Sequence, residues 1–146
     1  LRRVRASMND VCNHRRGTAY RSRIIDDAHK MAGKTGTSQV RRITPEERAA
    51  GVTRNEDLPW ERRDHALFVG FAPYDNPRYA VSVVVEHGGG GSAAAAPIAR
   101  DILLQAQYGG PPPLEAYPAE VRDRIAEQQS RIEARIPPGA KGRSRV

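Results

Sequence analysis

Ala32-Gly33-Lys34-Thr35-Gly36-Thr37-Ser38 is the stretch on which the reading of this chain turns. It sets two glycines among three hydroxyl-bearing side chains. That composition suits a strand that a second backbone or a ligand approaches closely. A phosphate loop would need a glycine at position 28 ahead of Gly33-Lys34-Thr35. Ala28 stands there, and Asp26-Asp27 would face the phosphate. Taken alone, Lys34-Thr35-Gly36 also fits an ordinary small-residue turn, so the flanking sequence has to decide.

Upstream, Val4, Met8, Val11 and Cys12 recur at helical spacing, which predicts a helix over 3–13 that stops by Gly17. Thr18 to Ile25 reads as extended. Downstream, 41–63 is a charged excursion with Pro45, Gly51 and Pro59. Within it, Thr44 with Glu47 three residues on predicts a capped helix at 45–50. Residues 65–72 (His-Ala-Leu-Phe-Val-Gly-Phe-Ala) and 78–86 (Arg-Tyr-Ala-Val-Ser-Val-Val-Val-Glu) flank the turn cluster Pro73 to Pro77. They predict an antiparallel hairpin. Gly88 to Gly91 ends the second strand, and Ser92 is placed to cap a helix through Ile98, Ile102 and Ala106. Pro97 is compatible only with its first turn. Gly109-Gly110-Pro111-Pro112-Pro113 ends that helix and marks a boundary between 1–109 and 110–146. A second amphipathic helix is expected over 117–136 through Val121, Ile125, Ile132 and Ile136. It either packs on the domain or meets a partner. Residues 137–146 read as disordered. The class is α+β, with three or four strands.

The chain has 146 residues and a formal charge of +7. The excess lies entirely in 1–63, with 15 basic and 8 acidic residues, while 64–146 balances nine against nine. Of the 24 basic residues, 21 are arginine. An Arg-rich basic half raises a nucleic-acid-binding module as one alternative. No zinc spacing, RNA-recognition signature or aromatic-interleaved basic strand supports it; Phe68 and Phe71 sit in the most apolar strand, away from the basic clusters. A single cysteine, Cys12, leaves no internal disulfide framework and no Cys-rich zinc site, and reads as core. No apolar run reaches the 18 residues of a bilayer span, and no secretory leader follows Leu1. His65 and His87 read as strand-end residues and Glu86 as a polar strand end. Trp60 reads equally as a loop anchor or a partner contact.

The flanking blocks decide the central stretch. His29 to Val40, Gly17-Thr18-Ala19 before it, Ala66 to Pro73, Tyr79 to Glu86, the glycine run and Ala96 to Leu103 stand in one order. Together they closely resemble the class B penicillin-binding proteins, in particular the D,D-transpeptidases of cell elongation, over about residues 1–108. Lys34-Thr35-Gly36 then matches the Lys-Thr-Gly box of serine acyl-transfer enzymes.

The resemblance implies a fold and a chemistry. The fold would be part of a penicillin-binding, serine β-lactamase-like transpeptidase domain. Lys34, Thr35, Gly36 and Thr37 would bind substrate. Lys34 supplies a fixed positive charge, the Thr35 hydroxyl meets a substrate carboxylate, and Gly36 lets substrate lie on the strand. The Thr37 backbone N–H would complete an oxyanion hole, so Lys34 and Thr37 are the catalytic candidates. The partners implied are the D-Ala-D-Ala stem peptide of peptidoglycan, β-lactams and membrane proteins of the elongation machinery, with no nucleic acid, metal or cofactor. The parent would be anchored in the inner membrane with a periplasmic catalytic domain.

The pattern is incomplete. The residues three before Lys30, Lys34 and Lys141 are Asp27, Met31 and Pro138, so the S-x-x-K box of the nucleophile is missing. The one literal S-x-N, Ser7-Met8-Asn9, lies on the helix just ahead of the Lys-Thr-Gly strand rather than far upstream. The expectation is a C-terminal fragment that is inactive alone. A serine β-lactamase relative shares the box and the sheet and stays open as a second alternative.

Overall fold

The structure is a computed structural model that describes residues 1–135. The expected end of the last helix at Ile136 and the tail 137–146 lie outside the described residues.

The chain opens with helix α1 (Arg2–Asn13) and reaches strand β1 (Ala32–Ser38) through two short 3-10 turns. The excursion carries helix α2 (Pro45–Ala50). Strands β2 (His65–Ala72) and β3 (Tyr79–Val85) follow, then α3 (Ala95–Tyr108) and α4 (Arg122–Arg135). The strands form one antiparallel sheet in the order β1-β2-β3. Lys34 is opposite Val69, Thr35 opposite Phe68 and Thr37 opposite Ala66. Phe68 in turn faces Val83 on β3.

The alternation along β2 builds the core. Ala66, Phe68, Gly70 and Ala72 are buried, and the residues between them are more exposed. Side chains of a strand alternate between faces, so one face of the sheet is dry. α3 covers it with Ala95, Ala96, Ala99, Leu103 and Leu104, whose small leading residues let the helix lie close. Cys12, Ile24 and Met31 extend the core toward α1, and Ala116, Tyr117 and Ile125 extend it toward α4. Residues 110–135 thus contribute to the same core as the sheet. The Ile25 N–H donates to the Ala116 carbonyl at 2.9 Å, tying the segment ahead of β1 to the segment ahead of α4.

Several local expectations are corrected. Residues 18–25 are not extended; the segment forms a 3-10 turn at Tyr20–Ser22. α1 ends at Asn13, ahead of Gly17, and Gly17 serves a different need. A side chain there would collide with the carbonyls of Asp10 and Val11, so glycine lets the chain fold back over α1. Ser92 does not cap α3. Ala94 holds the cap position without a side-chain bond, and the carbonyls of Gly90 and Gly91 take the N–H groups of Ala93 to Ala96. Pro97 lies in the first turn of α3, where its missing N–H costs nothing. A 3-10 turn at Ala119–Val121 precedes α4, which begins at Arg122 rather than 117.

The excursion keeps its capped helix. The Thr44 side chain accepts from the Glu47 N–H at 3.2 Å. Glu47 does not complete a reciprocal box but pairs with both terminal nitrogens of Arg41, at 2.5 and 2.6 Å. That pairing holds the Glu47 carboxyl down at about 2.

A candidate acyl-transfer strand at the sheet edge

β1 is an outer strand of the sheet, so one of its edges is turned away from β2. Three contacts show which backbone groups point along that edge. Asn13 Nδ2 donates to the Met31 carbonyl at 2.9 Å. The Gly33 backbone hydrogen-bonds the Cys12 thiol. The Thr35 carbonyl accepts from Lys34 Nζ at 2.6 Å. All three residues are odd-numbered. Backbone groups of an antiparallel strand alternate in direction, so the Thr37 N–H points along the same edge.

The four matched residues sit in two environments. Lys34 and Thr37 are exposed, and Thr35 and Gly36 are half-buried. Lys34 shares the outer face of the sheet with Val69, which is 47% exposed. A cleft of about 450 Å³ opens there beside α1, lined by Lys34, Val69, Val4, Met8 and Ser7 among others. Ser7 thus borders the same cleft as Lys34, although its hydroxyl is held within its own helix on the Arg3 carbonyl at 3.0 Å.

Glycines decide how closely this strand is packed. A Cβ at Gly33 would fall on the ring of Phe68, which is fully buried and has no room to move. A Cβ at Gly91 would fall on the carbonyls of Gly36 and Leu67. Gly91 is therefore what lets the turn before α3 press against β1 and β2 at Gly36. A Cβ at Gly36 would lie only 3.3 Å from the Leu67 side chain.

One residue given no role from the sequence joins the site. The Thr18 hydroxyl lies 2.9 Å from that of Thr35. Thr18 belongs to the turn that Gly17 folds back over α1. Its separation of 17 residues from Thr35 hides the pair from any local pattern, and the block Gly17-Thr18-Ala19 was the available signal.

The remaining candidates fall in structural positions. Burial pushes the Cys12 thiol up to about 12, against a smaller lowering by the Gly33 backbone. His65 Nδ1 accepts from the His87 N–H at 2.9 Å, and His87 Nδ1 lies 3.0 Å from the Arg63 carbonyl. His87 has a φ of 54°, a left-handed turn conformation held by these contacts. Trp60 leans on the His87 ring at 4.3 Å, anchoring the excursion to the end of β3, while 57% of it remains exposed. Glu86 lies in the turn just after β3. Among the described residues no three His, Cys, Asp or Glu side chains gather as a metal site, and no helix is long and apolar enough to cross a membrane.

The chain is similar to known proteins. The penicillin-binding protein transpeptidase domain matches residues 1–104. The peptidoglycan D,D-transpeptidase MrdA of Haemophilus influenzae is 34% identical over 136 residues, which is 90% of this chain and 20% of that protein. MrdA of Acinetobacter baumannii is 42% identical over 87 residues, covering 59% of this chain and 12% of the relative. This chain therefore spans at most about a fifth of the length of these relatives. In three dimensions it is similar to penicillin-binding protein 2 of Helicobacter pylori, solved in complex with MreC. That match has a TM-score of 0.56 and 33% identity, and covers 74% of this chain and 17% of that one. It is also similar to penicillin-binding protein 2 of Pseudomonas aeruginosa in complex with WCK 5153. Here the TM-score is 0.51 and the identity 38%, over 73% of this chain and 19% of the other. With a matching domain model over more than half the chain and solved relatives above 30% identity that superpose on it, the chain belongs to the penicillin-binding protein transpeptidase family.

Proposed function

We propose that this chain forms one wall of the active site of a peptidoglycan D,D-transpeptidase, the wall that binds the substrate carboxylate and the oxyanion. The observation that carries this reading is the outward edge of β1. It sets the ammonium of Lys34, the hydroxyl of Thr35 and the N–H direction of Thr37 along four consecutive residues.

The chemistry follows from these groups. The terminal carboxylate of a D-Ala-D-Ala stem peptide pairs with Lys34 and accepts a hydrogen bond from Thr35. A charge-assisted bond of this kind is shorter and stronger than a neutral one. The side chain missing at Gly36 lets the peptide lie against the strand. A serine then attacks the carbonyl between the two D-alanines. The carbonyl oxygen becomes an oxyanion, which the Thr37 N–H stabilises by a donor already in place. The terminal D-alanine leaves with a proton, and an amine of a second stem peptide takes the acyl group from the serine, completing the cross-link. β-Lactams enter the same way and stop at the acyl-enzyme.

The nucleophile comes from outside residues 1–146, because no S-x-x-K occurs among them. This segment alone then performs no acyl transfer. In the intact enzyme its setting is a membrane-anchored, periplasmic protein working with membrane proteins of the elongation machinery. The H. pylori relative solved with MreC supports that last point.

The test is acylation by a fluorescent penicillin. In the full-length enzyme Lys34→Ala should slow labelling by roughly 100-fold or more, the scale of losing one charge-stabilising group at an active site. Unchanged labelling would remove Lys34 from the site. The segment 1–146 should take no label, and a labelled serine within it would overturn the placement of the nucleophile.

A further inference from the structure

Away from the strand, the described residues bury a cation with incomplete hydrogen bonding. Arg100 on α3 is only 1% exposed. Its Nε donates to Asp101 Oδ1 at 2.8 Å, and its guanidinium lies 5.0 Å above the Tyr117 ring. Its Nη2 is buried and finds no partner among the described residues. An arginine stays charged in a protein, so it cannot relieve such a position by becoming neutral. Buried polar groups are nearly always paired, so an unpaired guanidinium N–H asks what it is there to hold.

Arg100 lines a cavity of about 410 Å³ together with Arg21, Arg124, Ser22, Ser92 and Glu120. The three guanidinium groups come from three separate elements: the 3-10 turn after α1, the middle of α3 and the first turn of α4. Against them stand Glu120 in the lining and Asp101 on the Nε of Arg100, so one positive charge is left over. The cavity also reaches Ala93 and Pro97 at the start of the 14-residue α3, whose N-terminus carries no side-chain cap. The positive end of the helix dipole adds to the same field.

We propose that this cavity is a binding site for a phosphate-bearing ligand, with Arg100 as its buried anchor and Arg21 and Arg124 closing over the anion from the surface. The match is chemical. A phosphate diester carries about one negative charge at neutral pH and a monoester close to two, against a lining that is net positive, and the oxygens of either take the forked donors of arginine in pairs. Ser22 and Ser92 offer hydroxyl donors for further oxygens. The phosphate comes either from a soluble ester or from a phospholipid headgroup, and the site is separate from the β1 edge, so it stands or falls independently of the transpeptidase reading.

The experiment is a binding titration on the full-length protein at constant ionic strength. The soluble probes are inorganic phosphate and glycerol 3-phosphate. The lipid probes are phosphatidylglycerol vesicles against phosphatidylcholine vesicles. Saturable binding is expected to at least one phosphate probe and to neither chloride nor phosphatidylcholine. Arg21 and Arg124 are exposed, so Arg21→Gln and Arg124→Gln should fold normally and each weaken that binding by roughly tenfold, the worth of one charge-assisted bond. Arg100→Met should abolish it, and if that variant fails to fold the two surface variants still decide. Retention of soluble phosphate assigns a free ester, and binding only to phosphatidylglycerol assigns a headgroup. No binding to any phosphate probe, or undiminished wild-type binding by both glutamine variants, overturns the site.

Discussion

The hydroxyl of Thr18 sits 2.9 Å from the hydroxyl of Thr35, joining the turn after α1 to the strand proposed to bind the substrate carboxylate. Either oxygen can be the donor. When Thr35 donates to a carboxylate, its remaining lone pairs are free to accept, and Thr18 can then donate to it. The hydroxyl of Thr35 is thereby oriented before substrate arrives. Thr18→Val keeps the shape and removes that partner. A net hydrogen bond is worth about 1 kcal/mol, so the acylation rate by penicillin should fall roughly fivefold in the full-length enzyme. Thr18→Ser should restore it. A Thr18→Val enzyme with wild-type acylation, or one whose loss serine does not rescue, would show that the pair only packs the turn.

The contact between Gly91 and Gly36 makes a second prediction. A methyl group at 91 meets two backbone carbonyls, and neither can move without moving a paired strand. Overpacking of this kind costs about 1–3 kcal/mol, or roughly 3–10 °C in Tm. Gly91→Ala should therefore lower the melting temperature and, by pushing β1, slow acylation as well. Gly110→Ala is the control, since nothing lies within 4 Å of a Cβ there. Equal melting of the two variants would refute the close approach.

These two sites also mark what the sequence can and cannot disclose. The hairpin at 65–72 and 79–85 is legible because its alternation is local, with every second residue of β2 buried. α2 is legible because Thr44, Pro45 and Glu47 lie within one turn. Ser92 misled because a serine before an alanine run satisfies the capping rule, while Gly90 and Gly91 already supply the acceptors. The segment 18–25 misled for a longer-range reason. Its β-branched residues suit a strand, but Gly17 folds it onto α1, and the Ile25 N–H bonds to Ala116, 91 residues away. No window of sequence contains both partners. In the candidate site, Lys34 to Thr37 is legible as a motif, whereas Thr18 meets Thr35 only when the chain folds.

Cys12 tests the packing of the free edge of β1. Its side chain is fully buried, and burial carries the thiol to about 12. An unperturbed cysteine titrates near 8.5, and only the thiolate is the nucleophile. At pH 8 the native thiol is therefore almost wholly protonated. Alkylation by iodoacetamide should be far slower than for a free cysteine, and should rise to the free rate only in denaturant. Ready labelling of the folded protein at pH 8 would mean that α1 stands away from Gly33.

The last prediction concerns the C-terminal end of α3 and the turn that enters β1. Asp26 Oδ2 accepts from the Tyr108 hydroxyl at 2.6 Å and lies 2.7 Å from His29 Nδ1. Tyr108 stacks on His29 at 4.5 Å. The Tyr108 hydroxyl is the largest influence holding the Asp26 carboxyl below its ordinary 3.8, ahead of bonds from His29 and the Ala28 N–H. A depressed native carboxyl contributes stability that is present above its unfolded pKa and lost as pH falls through its native one. Tyr108→Phe keeps the stacked ring and removes the hydroxyl, so the Asp26 pKa rises toward 3.8. The variant should then melt below the wild type at pH 7, and the gap should narrow as pH falls below 3.8 and the wild-type Asp26 takes up its proton. Burial and Asp26 also hold the Tyr108 hydroxyl up at about 12, so its own titration lies far from this window. Melting curves of both proteins from pH 7 to pH 2 would measure the gap. A difference that stays constant over that range would mean that the hydroxyl contributes packing alone, and that Asp26 does not clasp α3 to the turn that enters β1.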